Sequence, residues 1–164
     1  MEKILDVAQY IFDKYKECSG ETIDEMKMHK LLYFAQREHY AILSSPLFDE
    51  DFEGWQYGPV SPNVRSFFTK DGINYATDDI SPESAYIINN VIEEYGKIES
   101  WKLSELTHKE LSWINARKGL APKAIGHKIL NKQDILKDAE KVRPYDHIWD
   151  MYYDEFDNLE DESL

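Results

Sequence analysis

The chain is short of most of what covalent or cofactor chemistry relies on. A single cysteine, Cys18, among 164 residues excludes an internal disulfide. It also leaves the five histidines, His29, His39, His108, His127 and His147, without a second soft ligand, and no two of them form an H-x-x-x-H pair. The seven glycines fall in no G-x-x-x-x-G-K or G-x-G-x-x-G pattern, so no phosphate-cradling loop is written here. Bases are scarce as well: 19 Lys and Arg stand against 32 Asp and Glu, a net charge of −13, which argues against a general basic face for nucleic acid or anionic lipid. No uncharged apolar run approaches the ~18 residues of a membrane span, and no leader of charged, apolar and small residues opens the sequence. These absences predict a cytoplasmic protein with no cofactor, no metal and no membrane partner.

Aromatic residues are abundant: four Trp, eleven Tyr and seven Phe. Such side chains fill cores and anchor protein interfaces. Charge is unevenly placed, because residues 150–164 carry seven acids and no base, leaving −6 for the other 149 residues. Residues 1–145 are expected to form one compact, mainly α domain of six or seven helices, and residues 146–164 an acidic, aromatic-rich tail or terminal helix.

Ile4, Val7, Ala8, Ile11, Phe12 and Tyr15 line one face of a helix over about residues 2–16, which Gly20 ends. Thr22 with Glu25 spells a capping box for a second helix reaching about Leu43, whose wide apolar arc marks it as central. Pro46, Gly54, Gly58 and Pro59 then break the periodicity, and a small β element is expected near residues 47–60, with another near 127–131. Ser61-Pro62 and Ser81-Pro82 are helix starts. Ser100 and the Thr107/Glu110 pair are expected to cap two further helices, and Asn131 a last one that stops at Arg143-Pro144.

Catalytic signals are weak. Cys18 lies among Asp13, Glu17 and Glu21, which oppose thiolate formation. The run Asp49, Glu50, Asp51, Glu53 lacks the spacing of a calcium loop and is expected to be a solvated turn. Lys27, Lys30, Lys118, Lys123, Lys128 and Lys132 are expected to bury their stems and hold their ammonium groups at the rim.

The segment from Ile23 to Phe68 closely resembles the SocA-like Panacea domain, also called the GepA or phage-associated domain. Met28, Lys30, Leu31, Leu32, Tyr33, Phe34 and Ala35 match its K-L-q-K-L-l-Y-f-a helix, and Pro46, Leu47 and Phe48 its p-L-F turn. Trp55, Gly58, Pro59 and Val60 match its A-W-x-x-G-P-V signature. Leu106, Thr107, His108 and Trp113 resemble a later L-t-h-x-x-x-x-W piece, and Ile129 with Ile135 the closing I-s-x-x-x-I segment. Two positions depart: Gly54 stands where the family often has alanine, and Arg65 where an aromatic residue commonly follows the G-P-V segment.

The resemblance implies an antitoxin that neutralises a cognate toxin by direct protein contact, often encoded on phage or mobile elements. In the SocA case it also implies an adaptor that delivers the toxin to a ClpXP-type protease. The candidate contacts are Trp55, Tyr57 and Arg65 in the body and Trp149, Tyr152, Tyr153 and Phe156 in the tail; Trp55 and Pro59 are expected mainly to fix the loop and core, so the tail is the stronger interface candidate. Two other readings stand beside this one. An enzyme would build its site from scattered residues such as His29, His108 and a carboxylate, and would show convergent groups held off their ordinary pKa. A DNA-binding autoregulator would need an extended basic surface.

Overall fold

The computed structural model describes residues 1–142, so Trp149, Tyr152, Tyr153, Phe156 and the tail as a whole lie outside the described residues. The described chain is mainly α, as expected. Its elements are α1 (Ile4–Ser19), α2 (Glu25–Leu43), β1 (Glu53–Trp55), β2 (Gly58–Val60), α3 (Pro62–Phe67), β3 (Phe68–Thr69), β4 (Gly72–Ile73), α4 (Pro82–Tyr95), α5 (Ser100–Thr107), α6 (Leu111–Ala116) and α7 (Lys132–Glu140).

Helix α2 is the axis of the fold. Every residue from Lys27 to Tyr40 is buried, because α1, α4, α5, α7 and strand β2 surround it. A helix hidden all round must also hide its polar residues, and α2 does so through paired groups. The Tyr33 hydroxyl lies 2.9 Å from Ser112 Oγ and donates to Asp138 Oδ2 at 3.1 Å. Arg37 donates to Glu110 and to the Tyr95 hydroxyl, and its guanidinium lies over the Phe34 ring, which stacks on Tyr95. These contacts tie α2 to α4, α6 and α7 through polar groups, while Leu31, Leu32, Phe34, Phe48 and Phe52 fill the apolar core.

The start signals at Ser61, Ser81 and Asn131 are all used, their side chains accepting from Val64, Ser84, and both Gln133 and Asp134 N–H groups. Gly20 closes α1 in the left-handed conformation. Three expected caps are corrected. Asp24, not Thr22, caps α2, accepting from Lys27 N–H. Glu99 is the residue before α5, and Ser100 inside that helix donates to Asp24 instead. Glu110 precedes α6 without capping it, because its carboxylate is drawn to Arg37 and Tyr33.

The expected β element is the antiparallel hairpin β1–β2, with Glu53 opposite Val60 and Trp55 opposite Gly58. The later segment joins its edge: Gly54 N–H donates to the Lys128 carbonyl, Leu130 N–H to Phe52, and Glu53 bridges Ile129. A second hairpin, β3–β4, was not foreseen. The acidic run is solvated in part: Asp49 and Asp51 are exposed, whereas Glu50 and Glu53 are half-buried. Glu50 accepts from Ile4 N–H at 2.6 Å, and Asp49 and Asp51 pair with Lys132.

Candidate functional site

The hairpin folds over the first half of α2. Its turn, Gln56-Tyr57, is followed by Gly58 at φ +125, a conformation L side chains rarely adopt. A Cβ on Gly58 would also lie 2.5 Å from Thr107 Oγ1 and 2.7 Å from Lys30 Nζ, so the hairpin presses its backbone directly onto α2 and α5. From the other side Trp113 donates its indole N–H to the Trp55 carbonyl at 2.7 Å, and His108 stacks on Trp113 with centroids 4.1 Å apart. Arg117 completes the brace, donating to the carbonyls of Gly54, Ala121, Pro122 and Ala124.

Beneath the turn lies a cavity of about 520 Å³, largely apolar in lining. Its walls are Trp55, Tyr57 and Val60 from the hairpin, Met26 from α2 and Ile125 from the late loop; Lys30 and His29 form its base, and Glu25 and Arg65 part of its rim. His29 is buried with both ring nitrogens engaged: Nδ1 accepts from Ser61 N–H at 3.2 Å and Nε2 lies 3.1 Å from Glu25. That arrangement is the neutral imidazole donating from Nε2, and burial accordingly holds its pKa below the ordinary value. Glu25 is held down by the His29 hydrogen bond first, with Arg65 adding to it.

Trp55 is fixed on three sides. The Arg65 guanidinium sits 4.9 Å over its ring, His127 meets it edge-on at 6.0 Å, and its indole N–H donates to Glu53. Arg65 in turn donates to Glu25 at 2.8 Å. Of the seven sequence-predicted contact residues, the structure therefore brings three together on one rim: Trp55 half-buried, Tyr57 55% exposed, and Arg65 exposed. The other motif positions, Leu31, Tyr33, Phe34, Gly58, Pro59 and Val60, are buried.

Lys30 corrects an expectation. Its ammonium is not at the rim; the residue is 1% exposed, and burial pushes its pKa down to about 8. Lys27 is also inside, but it donates to the Gly96 carbonyl at 2.8 Å. Within the continuous buried arc of α2 no periodicity marks which lysine turns inward. His108 Nε2 is buried without a partner among the described residues, yet His108 does not line the cavity, so the two histidines considered for an enzyme site do not share it. Among the described residues no group of three or more His, Cys, Asp or Glu side chains is placed to hold a metal ion, and no helix is long and apolar enough to cross a membrane.

Of these residues, Lys30, Trp55 and Val60 in the cavity and His108 and Trp113 in the brace belong to the sequence motifs. The model of the antitoxin SocA-like Panacea domain matches residues 28–114, a little over half of the chain. The chain belongs to that family. A relative, Antitoxin SocA of Caulobacter vibrioides (strain NA1000 / CB15N), is 38% identical over 53 residues, which cover 32% of this chain and 28% of that protein. The match thus spans under a third of the relative's length. No solved structure gives a significant match. The Panacea region runs from the first turn of α2 through both hairpins, α4 and α5 to Trp113 and Ile114 in α6, and so contains most of the cavity.

Proposed function

We propose that this Panacea-domain chain is an antitoxin that neutralises a cognate toxin protein by direct contact in the cytoplasm. The contact surface is the rim formed by Trp55, Tyr57 and Arg65, joined by Trp149, Tyr152, Tyr153 and Phe156 of the acidic tail, residues 146–164. Membership of an antitoxin family supports the role. The observation that carries the placement is convergence: an aromatic and an exposed tyrosine on the braced hairpin stand beside an arginine of α3, and these residue types are enriched at the energetic centres of interfaces. Acidic charge elsewhere would speed encounter with a toxin whose working cleft is basic.

The test is co-expression of the full chain with the product of the neighbouring open reading frame, scored as growth rescue. Rescue by the wild type and its loss in a Tyr57→Ala/Arg65→Ala chain that still folds support the rim. Rescue by a chain lacking residues 146–164 removes the tail from the contact. The toxin's half-life in the same cells separates blocking from hand-over to a ClpXP-type protease, because only the second shortens it. Absence of rescue by the wild-type chain overturns the reading.

A further inference from the structure

We propose that the cavity under the hairpin binds a singly charged carboxylic acid with an apolar body, the carboxylate meeting Lys30 Nζ and the body filling the space between Trp55, Tyr57, Val60 and Met26. Lys30 is the exception among the buried cations of the described residues. Lys27 has the Gly96 carbonyl, Arg37 has Glu110 and the Tyr95 hydroxyl, and Arg117 has four carbonyls. Lys30 is buried just as deeply and has neither a hydrogen bond nor an ion pair with any described residue, while it lines an open cavity. A buried ammonium left without an acceptor is costly, and an anion entering the cavity removes that cost.

The chemistry of the guest follows from the walls. Lys30 and Arg65 set against Glu25 leave one net positive charge at the cavity, in a chain whose net charge is −13. Arg65 is already engaged by Glu25 and Trp55, so Lys30 is the charge on offer. A phosphate dianion would want several donors around it, whereas one ammonium in an apolar cavity suits a monoanion attached to a hydrocarbon body. A volume near 520 Å³ is in the range of small-ligand sites.

A free small acid and the C-terminal residue of a peptide present the same chemistry. Calorimetric titration of the full chain, with no toxin present, distinguishes them using hexanoate for the first and N-acetyl-leucine for the second, with hexanamide and N-acetyl-leucinamide as uncharged controls. Binding of either acid about tenfold or more tighter than its amide supports the site and identifies the source. In Lys30→Met, with the fold verified by circular dichroism, the acid-to-amide ratio is expected to fall to about one. Binding of neither acid at millimolar concentration, equal binding of acid and amide, or an unchanged ratio in Lys30→Met overturns the proposal. The wild-type comparison of acid with amide requires no variant, and because no toxin is present its outcome is independent of growth rescue.

Discussion

Gly58 and Lys30 meet where the hairpin crosses α2, and the space a single methyl group at Gly58 would occupy lies 2.7 Å from the lysine nitrogen. Gly58→Ala therefore combines a strained positive φ with overlap against both Lys30 and Thr107 Oγ1. A loss of about 2–4 kcal/mol in unfolding free energy is expected, measured by urea denaturation. A change below about 0.5 kcal/mol would show that the hairpin does not press on α2 in this way.

Lys30→Met should have the opposite sign. The ordinary lysine value is 10.5 and the buried group sits at about 8, so the folded chain sheds this proton before the unfolded chain does. Asp24 opposes the shift, and His29 and His108 are the other titratable groups that Lys30 influences. The penalty is present in full below pH 8 and disappears as pH rises toward 10.5, an increase of order 3 kcal/mol in stability. The methionine variant is expected to be more stable than wild type at pH 7, and urea midpoints between pH 8 and 10.5 should lose this rise.

Glu38 supplies a second titration. Its carboxyl is pushed up to about 8 by burial, with the Glu94 charge adding to the effect and Arg37 opposing it. The folded chain thus keeps a proton that the unfolded chain releases near 4.5, and this contribution to stability is full below 4.5 and lost as pH rises toward 8. His29, His39 and His108 are held below their ordinary value and act in the other direction over part of this range. The useful quantity is the difference between wild type and Glu38→Gln, which should move by up to about 4 kcal/mol in favour of the glutamine between pH 5 and 8. A flat difference would contradict the burial that keeps Glu38 protonated.

Tyr33→Phe removes a hydroxyl shared by Ser112, Asp138 and Glu110 at the junction of α2, α6 and α7. Leaving those buried acceptors short of a donor should cost about 1–3 kcal/mol, visible in the same denaturation assay.

Arg65→Ala separates stability from recognition. Its ion pair with Glu25 is half-exposed, and such pairs contribute about 0–1 kcal/mol, so the melting temperature should hardly change. If the rim is the toxin contact, affinity measured by calorimetry should fall at least about tenfold. A marked drop in melting temperature with affinity preserved would make Arg65 a structural residue.

What was legible in the sequence follows physical lines. Ser61, Ser81 and Asn131 could be read because each stands directly before its helix, the first two followed by proline at the first helical position. Thr22, Ser100 and Thr107 misled because the winning acceptors were decided in three dimensions: Asp24 serves both α2 and Ser100, and Glu110 answers to Arg37. The β3–β4 hairpin is too short for alternation to register. The rim residues Trp55, Tyr57 and Arg65 were found through motif and composition, whereas Lys30 as an inward amine was hidden by the uniform burial of α2.

Arg117 spends one guanidinium on four carbonyl oxygens, joining the hairpin to the loop at residues 121–124. Those four bonds hold the loop against the hairpin, and Lys118 and Lys123, both at the surface, flank or occupy it. Limited digestion with trypsin becomes a gauge of whether the brace is closed: cuts after these two lysines should be slow in the intact chain and fast in Arg117→Ala. The same cleavage pattern would report from solution any guest or partner that tightens the hairpin, without a label or a crystal.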